Sequence, residues 1–130
     1  MVDLLAGNDA AAVGRARDIV LHAARRGPLV VTPIVHAELM AHPGATEAGV
    51  AAFLADLAIA VQWSLSETSW RRAAAAFGAY AHRRRSAGGR SPRRLVADFV
   101  IGAHAVEAGA FATRDAEFLR RVFPGLHVIG

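Results

Sequence analysis

Four short strand-like segments, set apart by stretches long enough for helices, constrain this chain more than any other feature. They are Leu29-Val30-Val31, Val61 to Leu65, Ala110 to Thr113 and Leu126 to Ile129. The first is apolar throughout, as expected of a strand buried on both faces. Short strands alternating with helices predict an α/β fold in which a short parallel sheet is covered by helices. With 130 residues the chain can bury one real core. Its hydrophobic fraction of 54%, rich in Ala and Val, argues against disorder. No internal repeat or linker divides it, so residues 1–130 are expected to form one domain.

The helices follow from their caps. Asn8 or Asp9 can open a helix from Ala10 to about Arg26, with Val13, Ala16, Val20 and Ala24 at helical spacing and Gly27 as the stop. Thr32-Pro33 is an N-cap followed by proline at the first helical position. His42-Pro43-Gly44 breaks that helix, and a further one is expected from Thr46 to Ala60. Ser66 can cap a long helix bearing Trp70, Ala74, Phe77 and Tyr80 and ending at His82-Arg83-Arg84-Arg85. Ser86 to Arg94 reads as a loop. Leu95 to Glu107 reads as an apolar helix stopped by Gly109. Asp115 can cap a last helix to Val122, and Pro124-Gly125 turns the chain.

Two carboxylates stand in apolar surroundings: Glu38 in Ile34-Val35-His36-Ala37-Glu38-Leu39-Met40 and Asp98 in Leu95-Val96-Ala97-Asp98-Phe99-Val100-Ile101. A charge there is costly to bury unless it is paired or binds a cation. Asp115 follows an apolar segment and opens a helix. Each acid also has a plain structural reading. Asp98 can pair with Arg94 or favour a helix N-terminus. Glu38 can lie on a helix surface with His36 or His42 as a local partner. Asp115 can be an N-cap. Three isolated acids at segment ends otherwise suggest a hard-metal site, and in a basic protein such a site suggests phosphate chemistry.

Charge and composition narrow the options. All fifteen basic residues are Arg, and the net charge is +4. Such a balance suits a polyanion or an acidic partner. The Arg83-Arg84-Arg85 run reads as a solvated helix end, with nucleic-acid contact as the alternative. With no Cys, thiolate catalysis and Cys-based zinc sites are excluded. The six histidines lack HExxH or HxH spacing, and His104 is expected to pack or face solvent. No P-loop, GxGxxG or GxSxG pattern occurs. No basic leader or membrane-length apolar run is present, so a soluble cytoplasmic protein away from membranes is expected.

The segments Val96-Ala97-Asp98-Phe99-Val100-Ile101-Gly102-Ala103-His104-Ala105 and Gly109-Ala110-Phe111-Ala112-Thr113-Arg114-Asp115-Ala116-Glu117-Phe118 resemble the C-terminal half of a PIN domain. Thr32-Pro33-Ile34-Val35-His36-Ala37-Glu38-Leu39 resembles that family's middle motif, and in style the chain is similar to VapC-type toxins of prokaryotic toxin–antitoxin pairs. The resemblance implies a PIN-like three-layer α/β fold. It also implies an endoribonuclease dependent on Mg²⁺ or Mn²⁺, with Glu38, Asp98 and Asp115 as metal ligands and Thr113 in support. Oxygen ligands suit such cations, and a bound cation activates water and screens phosphate charge. Arg90, Arg93, Arg94 and Arg114 are candidate RNA contacts. An antitoxin that blocks the site and a homodimer are the implied protein partners. Two alternatives stand beside the nuclease. One is a degenerate PIN domain that binds RNA or a partner without catalysis; the other is a metal-dependent phosphatase of another α/β family.

In one respect the chain departs from the family pattern. The family's first strand, with its acid, precedes a segment like Val2-Asp3-Leu4-Leu5-Ala6-Gly7, and Asp3 does not fill that place. Either a natural N-terminal piece is omitted or the protein lacks it. The chain as written is therefore expected to bind metal weakly or not at all. Restoring about ten upstream residues, enough for one ordinary strand, is expected to raise stability and Mn²⁺ affinity.

Overall fold

The computed structural model of the chain describes residues 10–89, 93–113 and 116–129. Expectations placed on Asp3, Asn8, Asp9, Arg90, Arg114 and Asp115 lie outside the described residues. The architecture is mixed α/β, with two short parallel two-stranded sheets, β1–β2 and β3–β4. The chain divides into two compact units. Of the described residues, one comprises 10–63 with 112–113 and 129, and the other 64–89, 93–111 and 116–128.

In the first unit, helix α1 (Ala10–Ala24) leads to strand β1 (Leu29–Val31). Of its expected apolar stripe, Ala16 is buried and Val20 packs on the core, while Ala24 is exposed and Ala23 is buried in its place. Thr32 then caps α2 (Pro33–Met40), its side-chain oxygen accepting the Val35 N–H at 3.4 Å, with Pro33 opening the helix. Thr46 caps α3 (Glu47–Asp56) in the same way through the Gly49 N–H.

Here the structure differs from the sequence expectation: α3 stops at Asp56 instead of reaching Ala60. The backbone turns at Ala58, whose φ of 52° lies in the left-handed region. Strand β2 therefore starts early, at Ile59–Val61. It pairs in parallel with β1 in the register Leu29↔Ile59, Val30↔Ala60, Val31↔Val61. Leu39, Val50, Leu54 and Ile59 form the core of this unit, joining α2, α3 and β2.

In the second unit, α4 (Glu67–Ser86) runs for 20 residues from its Ser66 cap and packs along α5 (Val96–Ala108). Phe99, Val100, Ala103, His104 and Ala105 of α5 are buried. Gly109, with φ 92°, ends α5 in a left-handed cap that only glycine adopts without strain. Strand β3 (Ala110–Ala112), α6 (Ala116–Val122) and β4 (His127–Ile129) follow in the chain, the last residue of each strand belonging to the first unit. Phe99 is fully buried and meets Phe77, Tyr80 and Phe118 at ring-centroid distances of 5.2, 5.3 and 5.5 Å. Burying a ring of that size contributes about 1.5–3 kcal/mol, so this cluster anchors the helix pair. Among the described residues no helix is long and apolar enough to cross a membrane.

Candidate functional site

The three acids singled out in the sequence have different circumstances. Glu38 lies on α2, where the apolar sequence Pro-Ile-Val-His-Ala-Glu-Leu-Met leaves it the helix's one charged residue. Its neighbour Leu39 is fully buried, while Glu38 itself is exposed. The expected local partners are engaged elsewhere. His36 Nε2 lies 3.5 Å from Glu47 Oε1, with the Trp63 ring against its edge at 5.1 Å, and His42 Nδ1 is bonded to the Pro43 carbonyl oxygen. Glu38 makes no hydrogen bond or ion pair with any described residue. Solvent carries its charge, so the expected penalty for burying it does not arise.

Asp98 occupies the third position of α5 and is half-buried. Its Oδ2 accepts the Leu95 backbone N–H at 2.9 Å, which satisfies a donor that the helix start leaves open. The structural reading of Asp98 as a helix-start acid therefore holds, and the ion pair with Arg94 does not form. The Arg94 guanidinium instead lies over the Phe118 ring at 4.1 Å, and its backbone N–H donates to the Tyr80 hydroxyl at 2.8 Å. One oxygen of Asp98 keeps no partner among the described residues.

Asp115 and Arg114 lie outside the described residues, as does Arg90. Thr113, half-buried at the end of β3, donates its backbone N–H to the Ile129 carbonyl at 3.0 Å. Arg93 is exposed. Glu38 falls in the first unit and Asp98 in the second. Among the described residues no three His, Asp or Glu side chains gather closely enough to hold a metal ion.

Two features of the second unit were not singled out by sequence reasoning. At the far end of α5, Glu107 Oε2 accepts hydrogen bonds from the hydroxyls of Ser66, at 2.6 Å, and Ser69. Ser66 Oγ in turn accepts the Ser69 N–H, so the cap of α4 is tied to the last turn of α5. The two hydroxyl donors, chiefly Ser66, hold the Glu107 carboxyl below its ordinary range, helped by the nearby charges of His104 and Arg72. His104 is buried on the same helix, and burial pushes its imidazole down against the opposing pull of Glu107. A serine three residues before another, opposite a Glu forty residues on, gives no local sequence signal.

The second feature is a cleft of about 870 Å³ at the C-terminal end of α4 and the start of α5. Phe77, Tyr80, Leu95 and Val96 form its apolar lining, and Arg84, Arg85, Arg93 and Arg94 its charged lining. Among the described residues no Asp or Glu lines it. Sequence reading caught the arginines as a run and a loop cluster but had no means of joining them.

No protein-family model, curated protein or solved structure matches the chain.

Proposed function

We propose that the chain is a PIN-type, divalent-metal-dependent endoribonuclease of the VapC-type toxin class, with Glu38, Asp98 and Asp115 as its oxygen ligands for Mg²⁺ or Mn²⁺. The observation that carries this reading is Glu38: the one charged residue of α2, exposed and with no hydrogen bond or ion pair among the described residues, so its oxygens are open to a cation from solvent. Asp98 adds to it. One of its oxygens secures the start of α5 and the other is left over. The donor chemistry suits a hard cation, since carboxylate oxygens are the usual ligands of Mg²⁺ and Mn²⁺. When bound, such a cation supplies Lewis-acid stabilisation of the charge that develops on phosphate. The chain's part is to fix the carboxylates. Asp98 is oriented by the Leu95 N–H, and Glu38 rides on a helix pinned by the Thr32 cap and Leu39. The antitoxin partner and the homodimer belong to this same proposal.

The test is RNA cleavage with Mn²⁺, by the chain as given and with about ten residues of in-frame upstream sequence added, enough for one strand. Asp98→Asn is the informative variant. Its amide oxygen can still accept the Leu95 N–H, so the helix start survives while the charge is lost. Cleavage is expected in the extended chain and is expected to vanish when that chain carries Asp98→Asn, with the circular dichroism unchanged. Full cleavage by that variant would remove Asp98 from the site.

A second reading, a non-catalytic binding module of the same fold, is favoured by the arginine-lined cleft, which has no acid on its walls among the described residues. Binding that persists in EDTA, with no Mn²⁺-dependent cleavage in either form of the chain, would select it.

A further inference from the structure

From the cleft in the second unit we infer a docking site for an acidic, amphipathic peptide segment of a partner protein. Two properties of the cleft decide its occupant. The first is charge. Among the described residues four arginines and no carboxylate line it, and Arg85 and Arg93 are exposed with no ion pair to any described residue. Acidic groups on the occupant would complement that rim and speed its approach. The second is the chemistry of the apolar lining. Phe77 and Tyr80 are stacked on each other and both abut Phe99, so much of each ring is packed and only part of it faces the cleft. The most exposed apolar surface is that of Leu95, 65% exposed, and Val96, 55% exposed.

Aliphatic side chains receive other aliphatic side chains well. They offer no flat π-face on which a nucleobase would stack, which is how single-stranded nucleic acid is commonly held. The most exposed apolar part of the lining therefore favours a leucine-bearing acidic peptide over RNA. A central apolar anchor inside a charged rim is also the usual anatomy of a peptide or protein interface. Arg94, held over Phe118, and the Tyr80 hydroxyl, held by the Arg94 N–H, give the cleft one rigid wall before any ligand arrives. The inference does not depend on the nuclease proposal, because none of its residues is one of the three acids.

The experiment is calorimetric titration of the full chain with a short synthetic peptide of glutamates and aspartates carrying two leucines one helical turn apart. A counterpart with lysine for every acid and an oligouridylate serve as comparisons. The acidic peptide is expected to bind, the lysine peptide not to bind, and affinity to fall roughly tenfold or more in Arg85→Glu/Arg93→Glu. Leu95→Ser is expected to weaken binding as well, which a purely ionic contact would not show. All three positions are exposed, so the fold is expected to survive, as thermal melts will show. Failure of the acidic peptide to bind, equal binding by the variants, or equal binding of the lysine peptide would overturn the inference. Binding of oligouridylate alone through the same arginines would overturn it in favour of RNA. RNA cleavage is not read in any arm, so the outcome is separate from the fate of the nuclease proposal.

Discussion

Single residues set two strain points that the fold tolerates. Ala58 holds φ at 52°, where an L side chain costs about 1–2 kcal/mol, while glycine is at ease there. Ala58→Gly should therefore stabilise the chain by about 0.5–1 kcal/mol after the added freedom of the unfolded state is counted; a urea midpoint that falls instead would show the backbone to be relaxed at that position. Gly102 is the opposite case. A methyl group on it would lie 2.3 Å from Phe123 Cε2, inside any permitted contact, and a tight 3.0 Å from Leu119 Cδ2. Gly102→Ala gains helix propensity but must displace a buried aromatic ring, so a net loss of about 1–3 kcal/mol is expected in the same urea series. Neither point was legible in the sequence. Ala58 sits in an unremarkable Asp56-Leu57-Ala58-Ile59, and Gly102 in a helix that reads well without it.

At the scale of elements, legibility followed local chemistry. Thr32-Pro33, Ser66 and Gly109 each act within a few residues, and each ends or starts its helix where the sequence placed it. The α3–β2 boundary failed because the break depends on a backbone angle that no Gly or Pro announces. The bond between α4 and α5 was invisible for a different reason: Ser66, Ser69 and Glu107 meet only after the helices pack. That bond makes stability depend on pH. Glu107 is held below its ordinary value of 4.5, so the stability it contributes is fully present above that pH and is lost as pH falls through its lowered folded value. His104 is lowered from 6.5 by burial. The unfolded chain therefore takes up its proton first, and stability falls as pH drops below 6.5. The two losses have the same sign and occur in successive windows. Melting temperature should decline in two stages on acidification. His104→Gln should flatten the stage beginning near pH 6.5, and Glu107→Gln the stage below pH 4.5. Ser66→Ala should lower stability at neutral pH by about 1 kcal/mol through the lost cap alone. A single-stage profile unaffected by His104→Gln would assign the neutral-pH stage to other groups.

For the whole molecule, the sequence disclosed kinds of residue but not their meeting. Mixed α/β class and the parallel pairing of β1 with β2 follow from strand and helix alternation, which is a pattern along the chain. Whether Glu38, Asp98 and Asp115 share one ion is a relation among positions sixty and seventeen residues apart, and periodicity and capping carry no information at that range. Linkage does carry it. A ligand that binds only the folded state stabilises it by about 2.7 kcal/mol at a hundredfold excess over Kd, a rise on the order of 10 °C for a chain of this size. On the nuclease proposal, Mn²⁺ is expected to raise the melting temperature of the extended chain used in the cleavage test. If one ion is shared, Glu38→Gln and Asp98→Asn should each remove most of the rise, and the double variant should lose little more, because a site already broken cannot be broken twice. Two separate weak sites would give losses that add. Glu38→Gln with an undiminished rise would leave the exposed acid of α2 without a part in metal binding, and the nuclease proposal would lose the residue that carries it.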